Sequence, residues 1–180
     1  MMARLVALAA VGVVTGGAQY SCSGGSGLDV RPPRDIDSGD GPTFTTTLRL
    51  KDSAGTERAT FTRGELITFE LTVRNRTAEP VTVDLSTTQD TNFFVFRNGA
   101  NTPIWNAAHG MAFATVITPL TFGANESKVL TATWNQEIPD GTFLPRGNYE
   151  ARGAIMGVGV LPTYLAEHEL ASTLEAFSVK

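Results

Sequence analysis

The stretch Gly64-Glu65-Leu66-Ile67-Thr68-Phe69-Glu70-Leu71-Thr72-Val73-Arg74-Asn75 decides the fold. In an extended chain it puts Ile67, Phe69, Leu71 and Val73 on one face and Thr68, Glu70, Thr72 and Arg74 on the other. A period of two predicts a strand that buries one side and wets the other.

The same rhythm recurs on both sides of it. Phe44 to Lys51 alternates Phe44, Thr46, Leu48 and Leu50 with Thr45, Thr47, Arg49 and Lys51, and Asp52-Ser53-Ala54-Gly55 supplies a turn. After the connection Arg76–Glu79, Val81, Val83 and Leu85 point one way in a strand that either pairs with its predecessor or crosses to another sheet. Asn92-Phe93-Phe94-Val95-Phe96 is apolar on both faces and reads as a buried central strand. Asn98-Gly99 then predicts a hairpin turn before Pro103-Ile104-Trp105. Met111 to Ile117 reads as a strand, Pro119 to Glu126 as a turn-containing stretch, and Lys128 to Trp134 as a strand with Leu130, Ala132 and Trp134 on one side. Asn135 to Asn148 is a long Pro- and Gly-containing loop. Tyr149, Ala151, Gly153 and Ile155 alternate in the next strand, Tyr164 to Leu170 reads as a short helical turn, and Leu174 to Val179 as an edge or returning strand. About eight short strands at this spacing predict an all-β fold, an immunoglobulin-like antiparallel β-sandwich, with a barrel as the alternative.

Composition agrees with one such domain. The chain has 180 residues, 18 glycines and 18% charged residues, which favours strands and turns over charged helices. Its net charge of -4 offers no basic field for nucleic acid or for an anionic membrane surface.

The single cysteine, Cys22, excludes an intrachain disulfide and a multi-thiolate zinc site. It follows Arg4, the short apolar run Leu5 to Val14, and the small residues Thr15 to Ala18, an order that predicts an export signal. Ser21-Cys22 resembles the end of a bacterial lipoprotein signal, in which cleavage frees the cysteine for acylation. Gln19 stands where such signals carry an aliphatic residue, so simple secretion and an uncleaved anchor remain alternatives. Residues 23–42, rich in Gly, Ser, Asp and Pro, read as a flexible linker. The expected organisation is a signal over 1–22, a linker over 23–42 and a β-sandwich over 43–180, exported to the cell envelope.

Catalytic patterns are not evident. His109 and His168 are the only histidines, and neither belongs to a nucleophile-elbow or thiol-protease motif. Asp84, Asp90 and Glu70 are scattered and form no glycosidase pair. His109, Met111, Met156 and His168 are conceivable copper ligands, but a blue-copper site also needs a cysteine thiolate, and Cys22 lies outside the domain. No enzyme activity and no cofactor are expected. The sequons Asn75-Arg76-Thr77 and Asn125-Glu126-Ser127 read as turn and strand-end residues.

A set of landmarks runs in order through the domain: Asn75-x-Thr77-x-x-Pro80-Val81, Gln89-Asp90-x-x-Phe93, Gly99, Trp105, Phe113, Glu126, Trp134, Gly141 and Pro145-Arg146-Gly147-Asn148-Tyr149. Over Phe61 to Met156 this resembles the BsuPI domain, named for an intracellular proteinase inhibitor of bacilli. The resemblance implies a non-catalytic protein that binds a serine proteinase, here an extracellular one. The alternative is a structural or adhesive envelope module without inhibitory action. Both tryptophans read as plugs between the sheets. With no disulfide to brace it, an inhibitory loop would depend on the sandwich for rigidity. The candidate loops are Asn98 to Pro103, Asn135 to Asn148 and Gly157 to Ser172. In the second, Leu144, Pro145 and Arg146 are the candidate partner-binding residues.

Overall fold

A computed structural model describes residues 41–157 and 168–180. The chain divides into two units, Met1–Gly39 and Asp40–Lys180. The expected signal, Cys22, and nearly all of the expected linker lie outside the described residues, as does most of the expected helical turn near Tyr164.

Ten strands are described: β1 (Phe44–Lys51), β2 (Thr60–Phe61), β3 (Ile67–Asn75), β4 (Val81–Leu85), β5 (Thr91–Arg97), β6 (Pro103–Asn106), β7 (Thr118–Phe122), β8 (Ser127–Trp134), β9 (Gly147–Ile155) and β10 (Glu175–Val179). They form a sheet β1-β3-β8, a sheet β2-β10-β9-β5-β6 and a two-stranded sheet β4-β7. All pairs are antiparallel except β2 with β10, where Ser178 and Val179 run parallel to Thr60 and Phe61. The protein is an immunoglobulin-like β-sandwich.

Strand β3 sits at the middle of the first sheet because its alternation is the most regular. Leu71 lies opposite both Leu48 of β1 and Leu130 of β8, so one row of apolar side chains crosses the sheet. This face meets β5, β9 and β6 of the second sheet. Phe69 packs 5.6 Å from Phe93 and 5.6 Å from Trp105 between ring centres, and Trp105 stacks on Trp134 at 4.6 Å. Both tryptophans therefore fill the space between sheets. Gly153 of β9 is needed where the layers come closest. A Cβ there would stand 2.9 Å from Leu71 Cδ1 and 3.1 Å from a ring carbon of Phe93.

β5 is the buried central strand its composition predicts, held between β9 and β6. The hairpin to β6 turns through Gly99 at φ 74°, a backbone angle that glycine adopts without Cβ strain. β4 crosses to its own small sheet with β7, which joins the core through Phe122, 5.0 Å from Phe44.

One element differs from its expectation. Residues Met111 to Ile117 form no strand; the pairing begins at Thr118, inside what reads as a turn-containing stretch. Pro119 is tolerated because β7 pairs with β4 alone, so its missing N–H leaves no ladder bond unmade on a second side. The apolar residues that imitate a strand upstream, Met111, Val116 and Ile117, are exposed at 64%, 52% and 67%.

Candidate partner-binding site

Two loops project from the sandwich with their backbones held in place, and buried polar side chains do the holding. The first joins β8 to β9. Gln136, fully buried with φ 66°, accepts the Gly64 N–H at 3.2 Å and donates to the Thr62 and Glu65 carbonyls at 2.8 and 2.9 Å. The Trp134 indole N–H donates to the Glu137 carbonyl at 2.7 Å, and the Ile138 N–H to the Thr142 carbonyl at 2.9 Å. At the loop tip the Thr142 hydroxyl, and after it the Thr142 N–H, hold the Asp140 carboxyl below its ordinary value.

This geometry corrects part of the sequence expectation. Leu144 is fully buried in the core, with its N–H bonded to the Gln136 carbonyl at 2.7 Å, so it presents nothing to a partner. Pro145 and Arg146 are exposed. The Pro145 carbonyl accepts the Tyr149 hydroxyl at 2.7 Å, which fixes the entry into β9 much as a tyrosine corner does. Burial pushes the Tyr149 phenol above its ordinary value. Asn98 to Pro103 is a tight hairpin turn, and most of Gly157 to Ser172 lies outside the described residues.

The second loop, from β6 to β7, gave no loop signal in sequence. Its first turn is pinned by Asn92, 6% exposed, whose Oδ1 accepts the Ala108 N–H at 3.2 Å while the Ala107 N–H reaches the Phe93 carbonyl at 2.9 Å. Beyond the bend at Gly110 the chain runs to Ile117 without regular secondary structure, turning at Thr115 where the Val116 N–H donates to the Ala114 carbonyl at 3.0 Å. At its midpoint the Ala114 N–H donates to the Thr88 hydroxyl at 3.2 Å, and the Ala114 carbonyl accepts the Thr88 N–H at 3.1 Å. Phe113, half-buried, and Met111, more exposed, line one recess with Phe93 and Ala132, and Val116 and Ile117 face solvent. A single loop segment thus offers three large apolar side chains from a backbone braced at both its start and its middle. Its residues are apolar enough to pass for a strand, and the signal that separates them from one is structural: they have no partner strand.

Chemically the arrangement is suited to contact. Among the described residues no three His, Cys, Asp or Glu side chains gather as a metal site. His109 lies in the turn after β6, beside Ile138 and Pro139, whereas His168 lies by Glu169 and Ser172 ahead of β10. The two histidines line separate recesses.

No curated protein matches the chain. Among solved structures, similarity is distant. An alkylpurine DNA glycosylase from Pseudomonas fluorescens bound to DNA aligns at 9% identity and TM-score 0.44, covering 79% of this chain and 32% of its own. The CARDB domain of a Pyrococcus furiosus protein, solved with di-metal ions, aligns at 19% identity and TM-score 0.39, covering 76% and 91%. A β-glucosidase from Erythrobacter marinus aligns at 9% identity and TM-score 0.42, covering 76% and 15%. The chain thus spans about a third of the glycosylase and less of the glucosidase. The family model is the specific match: over residues 54–159 the chain fits BsuPI, described as intracellular proteinase inhibitor, and it belongs to that family.

Proposed function

We propose that this protein is a non-catalytic, protein-binding β-sandwich that inhibits a serine proteinase, with Met111 to Ile117 as the segment that enters the proteinase cleft. The observation that carries the reading is the exposed and braced apolar segment in a member of a proteinase-inhibitor family. An extended segment can add to a cleft as a strand, its backbone giving affinity and its alternate side chains specificity. A loop already held in that shape loses less conformational entropy on docking. Exposed Met111, Val116 and Ile117 favour a proteinase with an apolar specificity pocket. Pro145 and Arg146 are the second candidate contact, the one that would suit a basic-specific enzyme.

The export signal and Cys22 support an extracellular target, with the mature chain held at the cell envelope by lipid or, failing acylation, secreted. The test is a titration of the purified full-length chain against a panel of serine proteinases of apolar and basic specificity. Saturable inhibition of at least one, weakened by Met111→Asp or Ile117→Asp, is the expected result. Absence of inhibition across the panel would leave a structural or adhesive envelope module as the function. Inhibition abolished by Arg146→Ala and untouched by the two Asp substitutions would move the site to the β8–β9 loop.

A further inference from the structure

At the opposite corner of the first sheet, a polar cleft of about 320 Å³ opens between the start of β1, the end of β3 and the β7–β8 turn, lined by Thr45, Arg74, Arg76 and Asn125. Arg74 stands on the outer face of β3 between Thr45 of β1 and Ser127 of β8, its register partners. Arg76 is placed just beyond the strand end by its own N–H, which donates to the Thr43 carbonyl at 2.9 Å. Asn125, at φ 55°, is held by its N–H on the Thr77 carbonyl at 3.0 Å. Its position at the left-handed corner of the turn brings it to the cleft.

The charges there are unbalanced. The described ion pairs join Arg49 to Glu57, Lys51 to Glu70, Arg58 to Asp52 and Glu65, and Lys128 to Glu126. Neither Arg74 nor Arg76 has such a partner among the described residues. The nearby carboxylate, Glu126, is already committed to the Gly123 N–H and to Lys128. In a chain of net charge -4, two uncompensated guanidiniums in one cleft therefore face solvent together with a hydroxyl and an amide.

We propose that this cleft binds a phosphate group. Two guanidiniums match the charge of a phosphate monoester, where a carboxylate would neutralise only one. Their forked N–H donors, with Thr45 and Asn125, supply more hydrogen bonds than the two oxygens of a carboxylate accept. The cleft is larger than one phosphate, so it leaves room for the organic part of a phosphate ester. Gly41 lies beside Arg76, 3.9 Å from its Nη1 measured at a Cβ placed on the glycine. The cleft therefore sits where the chain enters the domain. Two sources share this chemistry, a free phosphate compound and the headgroup of an anionic lipid.

The experiment uses the purified full-length chain at low ionic strength, titrated with inorganic phosphate by calorimetry, and in parallel with phosphatidylcholine vesicles with and without phosphatidic acid, whose headgroup is a phosphate monoester. Arg74→Gln and Arg76→Gln are each expected to weaken binding by about tenfold, and the double substitution to abolish it, because each removes a charge-assisted, forked contact. Arg49→Gln, which disturbs an arginine already paired with Glu57, leaves binding unchanged. Thermal unfolding of every variant is expected to match the parent, since these side chains are exposed. Arginine-dependent binding of inorganic phosphate assigns the site to a free ligand. Arginine-dependent binding only to phosphatidic acid vesicles assigns it to a headgroup. No binding in either arm, or binding that the double substitution leaves intact, overturns the proposal.

Discussion

Asn75 shows how a polar side chain comes to lie fully buried in an apolar sandwich. Its Oδ1 accepts both the N–H and the hydroxyl of Thr77, at 2.9 and 2.8 Å, and its Nδ2 donates to the carbonyls of Glu79 and Gly123, each at 2.8 Å. The Asn-x-Thr pattern is thus a latch that ties the end of β3 to the β7–β8 turn, with no room for a glycan on the amide. Replacing it removes four hydrogen bonds to part-buried groups, so Asn75→Ala is expected to cost roughly 2–4 kcal/mol, read as a lower urea midpoint with an unchanged slope. Tyr149 gives the second case. Because burial raises its pKa, the folded state resists ionisation that the unfolded chain undergoes near the ordinary value of 10.0. Its contribution is therefore complete below that pH and is lost as pH rises through the higher folded value. Tyr149→Phe is expected to cost about 1 kcal/mol at neutral pH, through the lost bond to the Pro145 carbonyl, and to flatten the alkaline limb of a stability–pH curve. An unchanged alkaline limb would show that the phenol does not govern it.

Turns and loops carry both the acid sensitivity and the candidate contact surface. Asp52 is held below its ordinary pKa by the Thr56 N–H first, Glu126 by the Gly123 N–H and then Lys128, and Asp140 by the Thr142 hydroxyl and N–H. Depressed carboxyls stabilise the fold above their unfolded values, 3.8 for the aspartates and 4.5 for Glu126, and lose that contribution as pH falls through the lower folded ones. Unfolding midpoints are expected to decline below about pH 4, and Asp52→Asn, Glu126→Gln and Asp140→Asn together to shallow that decline. The strands were legible in advance wherever burial imposes a period of two, as in β1, β3 and β8, and the doubly apolar β5 announced its interior place. Met111 to Ile117 misled because composition does not tell whether apolar residues are covered. The residues that brace the loops, Asn92, Thr88 and Gln136, were illegible because their partners lie far away in sequence. Leu144 was misplaced for a related reason, since a leucine between loop residues can turn into the core. Thr88→Ala, which removes only the side-chain acceptor for the Ala114 N–H, is expected to weaken proteinase inhibition severalfold while lowering stability by less than about 1 kcal/mol. Equal inhibition by the variant would show that the brace is not what prepares the loop.

As a whole, the molecule combines a sandwich built without an intrachain disulfide, since the chain has one cysteine, with an N-terminal segment that we read as an export signal. The family description is of an intracellular inhibitor, whereas the proposed reading of Arg4, the apolar run Leu5 to Val14 and Ser21-Cys22 is an export and acylation signal. The two are reconciled if the fold was kept and its place of action changed, because the packing of Phe69, Phe93, Trp105 and Trp134 uses no chemistry that depends on the compartment. Location then rests on one thiol. A single acyl chain anchors only marginally, so stable tethering requires the multiple chains that lipoprotein processing adds at an N-terminal cysteine. In a bacterial host fed a labelled fatty acid, the full-length chain is expected to take up label and to sediment with membranes. Cys22→Ala is expected to lose the label and to appear in the soluble exported fraction. Replacing Gln19 with leucine is expected to speed processing, since that position departs from the usual pattern. An unlabelled wild-type chain recovered from the cytoplasm would sink the envelope assignment, and one recovered unlabelled from the medium would retain export while removing the anchor.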